Sequence, residues 1–260
     1  MFYDSDAGSL HYQVHGPAEA PAIVFTHGGG LHSGMWDAQV AAVEDHYRAV
    51  TWDMPGHGRS APLTEPLDVP QVADSLIGIL DEIGIDSAAL VGQSLGVYVN
   101  QHAAIRHPQR VSALASIGGL PIDEPMNRFE LWGFKAALAV SRLLPESVIF
   151  GRAAGEKATT EEAREFFAES MSEMGKEQFL LMLAGQLDAC EIEIDSGPRQ
   201  PMLIAHGEHE MPKSLIEGNR QWHAAVPDSQ YLEIPGAGHN ANMDNPEIFN
   251  AALLEFLADV

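Results

Sequence analysis

The chain has 260 residues, of which 45% are hydrophobic and 20% charged, proportions that are typical of a folded globular protein. Its formal net charge is −23, from 37 acidic and 14 basic residues. A negative surface of this strength repels nucleic-acid phosphates and anionic lipids. We therefore expect a small-molecule substrate, with neither a nucleic acid nor a membrane as partner. The single Cys190 excludes an internal disulfide bond.

The first ten residues contain neither the basic start nor the apolar run of a signal peptide. No apolar run elsewhere reaches the length of a membrane-spanning helix. We expect a cytoplasmic protein that is a monomer or a homodimer. The acidic composition is typical of a well-solvated surface, and adaptation to a saline habitat is an alternative explanation.

Strand and helix patterns alternate along most of the chain. Short apolar runs predict strands at 22–26, 49–52, 88–91, 111–117, 202–205 and 230–234. Helical spacing of apolar residues predicts helices at 35–43, 69–83, 95–106, 213–225 and 246–257. This alternation predicts an α/β fold with a mostly parallel sheet that is flanked by helices on both faces.

Residues 120–198 interrupt the alternation, because they contain helical patterns at 128–144, 160–174 and 177–189 and no convincing strand. We interpret them as a helical cap inserted into a core made of residues 1–119 and 199–260. A cap over the carboxyl ends of the strands would lie where α/β sheets bind ligands. Pocket-lining roles are predicted for four residues, although packing of the cap onto the core is the alternative: Phe129, Trp132, Leu138 and His32.

The segment Gly92-Gln93-Ser94-Leu95-Gly96 lies between a predicted strand and a predicted helix. In that context the pattern G-x-S-x-G is typical of a tight turn that exposes a nucleophilic serine. The two glycines are expected because side chains there would collide with neighbouring backbone. We predict Ser94 as the nucleophile, with the backbone N–H of Leu95 as one donor to an oxyanion.

Three consecutive glycines, Gly28 to Gly30, follow the first predicted buried strand. Such a run lets backbone N–H groups approach a ligand closely, so we predict Gly29 as the second oxyanion donor, with Gly30 as the alternative. A phosphate-binding loop is disfavoured because neither the Walker pattern nor G-x-G-x-x-G is present.

His239 is the predicted general base, because it follows a strand through the flexible loop Pro235 to Gly238. The carboxylate that should orient it is predicted after the preceding strand. Glu210 is preferred there, with Glu208 and Asp123 as alternatives. A metal site built from His206, His209 and the two glutamates is disfavoured, since no helix places them on one face.

These motifs together resemble the α/β-hydrolase superfamily along essentially the whole chain. The resemblance rests on five segments: HGGG at 27–30, DMPGHGRS at 53–60, GQSLG at 92–96, HGEHE at 206–210 and PGAGH at 235–239. The order Ser94, Glu210, His239 matches the nucleophile, acid and histidine order of that family. The resemblance implies that residues 53–60 form a structural loop in which His57 is not catalytic. Two departures are Glu210, where aspartate is more common, and Val97, where many relatives have glycine.

The expected function is hydrolysis of a small carboxylic ester or lactone through an acyl-enzyme, without a metal or organic cofactor. Carbon–carbon bond hydrolases and haloperoxidase-type enzymes of the same fold are alternatives, whereas the serine argues against the aspartate nucleophile of epoxide and haloalkane hydrolases. A slow-turnover ligand receptor is an alternative from another class.

Overall fold

The computed structural model describes residues 1–124, 128–150 and 158–260, with the backbone alone for Arg128 and Glu130. Its strands are β1 Phe2–Ser5, β2 Gly8–His15, β3 Ala22–Thr26, β4 Arg48–Trp52, β5 Ala88–Gln93, β6 Val111–Ile117, β7 Met202–Gly207 and β8 Gln230–Ile234. Its helices are α1 Asp37–Val43, α2 Val69–Glu82, α3 Leu95–Arg106, α4 Arg128–Ser141, α5 Glu161–Ala189, α6 Ser214–Ala225, α7 Ala241–Asp244 and α8 Pro246–Ala258. Short 3-10 turns occupy Ser33–Trp36 and Pro108–Arg110.

The eight strands form one sheet in the order β1-β2-β4-β3-β5-β6-β7-β8. Strands β3 to β8 pair in parallel, and β1 and β2 add an antiparallel edge. Parallel strands need crossover connections, which the intervening helices provide. The carboxyl ends of β3, β5, β7 and β8 therefore lie at one edge of the sheet, where the loops with the predicted site residues begin.

Both faces of the sheet are covered by apolar packing. Val24, on β3, belongs to the cluster that packs against α2 and α3, whereas its neighbours Ile23 and Phe25 belong to the cluster on the opposite face. This alternation follows from the two-residue period of a strand. It agrees with the expectation of a parallel sheet that is buried on both sides.

The hairpin of β1 and β2 was not among the predicted strands. Its turn lies at Asp6 and Ala7, and β2 then alternates Leu10, Tyr12 and Val14 with polar residues, which is the pattern of an antiparallel strand with one face on the core. Continuous apolar runs indicate strands that are buried on both faces, and a half-polar strand such as β2 carries no such run.

The region after β6 is helical, as predicted. The two helices predicted at 160–174 and 177–189 are the two halves of α5, which is broken at Gly175 with φ 74° and ψ 160°. The division into core and cap at residues 119 and 198 stays a prediction. Every helix in the described ranges is too short or too polar to cross a membrane.

Candidate active site

Ser94 occupies a sharp corner between β5 and α3. Its φ of 49° lies in the left-handed region, which is strained for a residue with a side chain. The two flanking glycines relieve the crowding: a Cβ on Gly92 would lie 2.7 Å from Gly96 O, and a Cβ on Gly96 would lie 2.7 Å from His27 O. The strand, strained turn and helix around Ser94 thus have the local geometry that G-x-S-x-G predicted.

Val97 fits into this corner because of a compensating glycine. A Cβ on Gly119 would lie 2.5 to 2.7 Å from three atoms of the Val97 side chain, so only glycine leaves room for it. Val97 is buried with 2% exposure. The departure from the family pattern at position 97 is therefore accommodated by the absence of a side chain at position 119.

His239 and Glu210 meet in the interior. The Nδ1 of His239 lies 2.7 Å from Oε1 of Glu210, and the two residues are 5% and 1% exposed. The same carboxylate oxygen accepts the backbone N–H of Met211 at 3.0 Å. A carboxylate at this nitrogen favours the tautomer with the proton on Nδ1, which makes Nε2 the basic nitrogen of the ring.

The other candidate acids lie elsewhere. Glu208 is exposed and accepts the N–H of Gly236 at 2.9 Å, and Asp123 is exposed and accepts the N–H of Gly197 at 2.8 Å. Glu210 is thus the one of the three carboxylates with a contact to the His239 ring in the described structure.

The side chains of the disfavoured metal cluster point in different directions. Nε2 of His206 is 2.5 Å from the hydroxyl of Tyr231, and its Nδ1 is 2.8 Å from the carbonyl of Gly207. His209 is exposed, whereas Glu210 is buried against His239. No group of three metal-binding side chains was found among the described residues.

Two observations place the loop of His239 beside Ser94. The N–H of Ser94 donates to the carbonyl of Ile117 at 2.9 Å, and a Cβ on the next residue, Gly118, would lie 3.0 Å from Nδ1 of His239. Gln93, adjacent to Ser94, donates from Nε2 to the backbone carbonyl of His239 at 3.0 Å. The predicted nucleophile and base are therefore brought to the same part of the sheet edge.

Gln93 itself was not among the predicted site residues. Its side chain is fully buried, and its Oε1 packs so closely on Gly28 that a Cβ there would overlap it. One amide thus touches both the glycine loop and the His239 loop. Its position next to Ser94 was the available signal, but sequence alone does not show where a side chain in a tight turn points.

The glycine loop distinguishes the two candidate oxyanion donors. The N–H of Gly30 donates to Nε2 of His57 at 3.2 Å and is therefore occupied. The N–H groups of Gly29 and Leu95 have no acceptor within the described part of the chain. Gly29 also lies near Leu95, since a Cβ on Gly29 would be 3.7 Å from Cδ2 of Leu95. This geometry favours Gly29 over Gly30.

Two buried histidines shape that loop. Nε2 of His27 accepts the N–H of Met54 at 2.9 Å, and the His27 and His57 rings are 4.8 Å apart. Burial lowers the pKa of His27 to about 4, and burial together with the nearby His27 lowers the pKa of His57 to about 3. Both rings are neutral at pH 7 and accept backbone N–H groups, so they act as structural supports of the loop.

Helix α5 covers the glycine loop. A Cβ on Gly29 would lie 2.9 Å from Sδ of Met182, and a Cβ on Gly30 would meet Sδ of Met171. Further along the loop, the ring of His32 lies 4.7 Å from that of Phe166. The apolar side chains of α5 therefore lie directly beside the proposed oxyanion donor.

The predicted pocket residues of α4 are placed differently. Phe129 and Trp132 are 85% and 73% exposed. Their pocket-lining roles stay predictions, and α5 supplies apolar groups at the glycine loop. Leu138 is half-buried, and its role and that of His32 stay predictions.

Comparison with known families agrees with this architecture. A family model described as the alpha/beta hydrolase fold matches residues 21–246, which is most of the chain. The chain belongs to the α/β-hydrolase family.

Several curated proteins are similar over nearly the whole chain. One is named carbamate hydrolase RutD, from Klebsiella pneumoniae (strain 342), with 30% identity over 261 residues and 92% of each chain covered. The 3-oxoadipate enol-lactonase 2 of Acinetobacter baylyi is 25% identical, with 94% of this chain and 91% of that one covered. The acetyltransferase component of an acetoin cleaving system from Pseudomonas putida is 29% identical, and the chain spans 65% of its length.

Solved structures show the same fold. A thermophilic esterase from Thermogutta terrifontis superimposes with a TM-score of 0.85 at 21% identity, covering 100% of this chain and 98% of that one. The enol-lactonase of Burkholderia xenovorans LB400 superimposes with a TM-score of 0.77 at 23% identity, covering 99% of this chain and 100% of that one. At these identities the similarity shows the fold alone.

Proposed function

We propose that the protein is a serine hydrolase that cleaves a small carboxylic ester or lactone through an acyl-enzyme. The observation that carries this proposal is the buried 2.7 Å contact between Nδ1 of His239 and Oε1 of Glu210. The backbone carbonyl of His239 also accepts a hydrogen bond from the side chain of Gln93, the residue directly before Ser94. A strained serine, an oriented imidazole and a buried carboxylate are the groups that acyl transfer to serine requires.

In the proposed first half-reaction, His239 takes the proton of Ser94 as the Oγ attacks the acyl carbon. The negative charge that forms on the carbonyl oxygen is stabilised by the N–H groups of Leu95 and Gly29. His239 then gives its proton to the departing alkoxide, and the ester or lactone C–O bond breaks.

In the second half-reaction, water attacks the acyl-enzyme. His239 takes a proton from that water and returns one to Ser94 when the acid product leaves. Throughout, Glu210 holds the ring by Nδ1 and stabilises its cationic form. No step requires a cofactor.

Two kinds of support favour ester and lactone substrates. The side chains beside Gly29 and Gly30 are the thioethers of Met182 and Met171, which suit an uncharged acyl group. Relatives along nearly the whole chain include an enol-lactonase. A carbamate is a second candidate class, because a relative with 30% identity is named a carbamate hydrolase and a carbamate also offers an acyl carbon to serine.

The test is a hydrolysis screen with short-chain nitrophenyl esters, lactones and alkyl carbamates. We expect many turnovers on at least one ester or lactone. Replacement of Ser94 by Ala should lower kcat by a factor on the order of 10³ or more without changing the circular dichroism spectrum. The matched control is Ser141→Ala, since Ser141 is a half-buried residue of α4 whose hydroxyl donates to Ala137 O.

Other results would redirect the proposal. A single stoichiometric acylation without turnover would favour a receptor. Full activity in the Ser94→Ala protein would exclude Ser94 as the nucleophile. Turnover of carbamates in preference to esters and lactones would keep the mechanism and change the substrate class.

A further inference from the structure

Asp244 joins two segments that are distant in sequence. It ends the short helix α7, five residues after His239, and both of its carboxylate oxygens are engaged. Oδ2 accepts the N–H of Gly238 at 2.8 Å, and Oδ1 accepts the N–H of Thr160 at 2.9 Å. Both oxygens also lie 3.0 Å from the N–H of Thr159.

The two threonines form the start of α5. Thr160 is its N-cap residue: its hydroxyl donates to Oδ1 of Asp244 at 2.9 Å and accepts the N–H of Ala163 at 3.4 Å. The hydroxyl of Thr159 donates to the carbonyl of Gly236 at 2.7 Å. The first turn of α5 is therefore hydrogen-bonded to the loop of His239 at Gly236 directly and at Gly238 through Asp244.

The other contacts of α5 lead to the glycine loop. Met171 and Met182 of the same helix pack on Gly30 and Gly29, at the proposed oxyanion site. The half of α5 before the break at Gly175 carries both Met171, which packs on Gly30, and the turn that binds the loop of His239, so this half connects the two sides of the site. Asp244 is the only described side chain that binds both the first turn of α5 and the residue directly before His239.

We propose that Asp244 is a positioning residue that couples the placement of α5 over the site to the placement of His239. It acts through Gly238 and the start of α5, and it does not touch the reacting atoms. A carboxylate suits this role because its two oxygens accept from donors on both sides, and hydrogen bonds to an ionised acceptor are stronger than neutral ones. Its negative charge at the N-terminus of α5 also favours the helix dipole. This inference rests on the proposed function for its catalytic consequence only.

The variant Asp244→Asn tests the coupling, because an amide keeps the size but has one acceptor oxygen. Whichever way the amide turns, its NH₂ group faces an N–H donor of either Gly238 or Thr160. Since Thr159 contacts both oxygens, we expect both segments to loosen. In hydrogen–deuterium exchange on the full chain, peptides covering 158–163 and 235–240 should both exchange faster, by about tenfold.

The matched control is Asp68→Asn. Asp68 also caps a helix, accepting the N–H of Gln71 at 3.0 Å at the start of α2, but within the described residues it makes no hydrogen bond to the His239 loop. Its variant should change exchange near residues 69–72 and leave 235–240 as in the unchanged protein. If only the peptide covering 158–163 exchanges faster in Asp244→Asn, Asp244 acts only as a local cap of α5. That result would overturn the proposed coupling.

Kinetics with the best ester from the screen supply the second measurement. If Asp244 positions the base and α5, the folded Asp244→Asn enzyme should show both a lower kcat and a higher KM, each by roughly fivefold to a hundredfold, because small displacements in a site are costly. A purely structural role would lower the concentration of active sites, counted by titration with a fluorophosphonate, and leave kcat per active site and KM unchanged. That second result would overturn the proposal.

The two measurements separate failure of this inference from failure of the proposed function. If the unchanged protein hydrolyses nothing and Ser94 is not labelled, the proposed function fails, and the exchange data still decide whether Asp244 couples the two segments. If the unchanged protein is active and the Asp244→Asn protein matches it in exchange and kinetics, the coupling fails alone.

Discussion

At the scale of single residues, the strain at Ser94 is the clearest link between sequence and chemistry. Ser94 is the only described residue other than glycine with a positive φ. Such a conformation costs on the order of 1 kcal/mol or more and persists only where neighbouring packing enforces it. Here the close contacts of Gly92 with Gly96 and of Gly96 with the backbone of Thr26 and His27 enforce it.

A first prediction concerns Gly96. The variant Gly96→Ala should lower the free energy of unfolding by about 2 kcal/mol or more, because its Cβ would collide with the carbonyl oxygen of Thr26. Urea unfolding followed by circular dichroism measures this. The control is Gly133→Ala in α4, where a Cβ would meet nothing within 4 Å and alanine favours the helix. Equal stability of the two variants would contradict the steric account.

The buried histidines give a second prediction, for pH dependence. The pKa of His57 falls from 6.5 in the unfolded chain to about 3 in the folded protein, chiefly through burial. Between these values the unfolded chain binds a proton that the folded protein does not. The stability that His57 contributes is therefore complete above pH 6.5 and is lost as the pH falls toward about 3.

The variant His57→Gln removes this titration. Across the window from pH 6 to 4, the slope of unfolding free energy against pH should become shallower by up to about 1.4 kcal/mol per pH unit, the value for one proton. Urea unfolding at a series of pH values gives the slope. An unchanged slope in the variant would mean that His57 is not held neutral in the folded protein.

At the scale of elements, the position of α5 is set by contacts at several points. The side chain of Gln178 makes two hydrogen bonds to the backbone of Leu63. Its Oε1 accepts the N–H of Leu63 at 2.6 Å, and its Nε2 donates to the carbonyl of Leu63 at 3.1 Å. Gly185 packs against the backbone of Leu67, where a Cβ would collide. These contacts fix the second half of the helix, after the break at Gly175, whereas the threonines and Asp244 fix the first half.

A third prediction concerns Gln178. The variant Gln178→Leu keeps the approximate volume and removes both hydrogen bonds, so the second half of α5 should shift on the core and raise KM several-fold, with a smaller effect on kcat. Gln221→Leu is the control, because Gln221 lies on the exposed side of α6 and bonds Glu217 one turn away. A KM that is unchanged in the Gln178 variant would show that this half of α5 does not shape the substrate site.

Sequence reasoning worked best where local chemistry determines structure. The glycines around Ser94 and the six apolar strands carry their signals in a few adjacent residues, and the structure places all six. The β1–β2 hairpin was missed because its residues are half polar, and its pairing depends on β4 much later in the chain. The break in α5 at Gly175 could also be predicted, because the helical spacing of apolar residues is interrupted between 174 and 177.

The site required tertiary information beyond its motifs. Glu210 and His239 could be named from loops that follow strands, but the choice among three carboxylates depends on which one is buried against the ring. Gln93 binds His239, which lies 146 positions later in the chain, and Asp244 binds Thr160, which lies 84 positions earlier. No local sequence pattern reveals contacts over such separations. The pocket roles of Phe129 and Trp132 on α4 stay predictions, because apolarity alone does not tell which helix faces the site.

At the scale of the whole molecule, the charge of −23 has a consequence for stability. Like charges repel each other more in the compact state than in the expanded one. Salt weakens this repulsion, since the Debye length falls from about 10 Å at 0.1 M to about 3 Å at 1 M.

We therefore predict that the melting temperature rises when sodium chloride increases from 0.05 to about 1 M, the range over which screening becomes strong. Calorimetry at pH 7 measures this, and a neutral osmolyte at matched osmolality is the control for general exclusion effects. A melting temperature that stays constant or falls would show that local ion pairs outweigh the net repulsion.

The most direct test of the proposed mechanism is to locate the covalent intermediate. The protein is incubated with a fluorophosphonate, which forms a stable bond to an activated serine, and the labelled peptide is identified by mass spectrometry. We predict a label on Ser94, absent in Ser94→Ala and formed at a rate lower by a factor on the order of 10² or more in His239→Gln. Ester hydrolysis by a protein whose Ser94 stays unlabelled, or equal labelling with and without His239, would contradict the account.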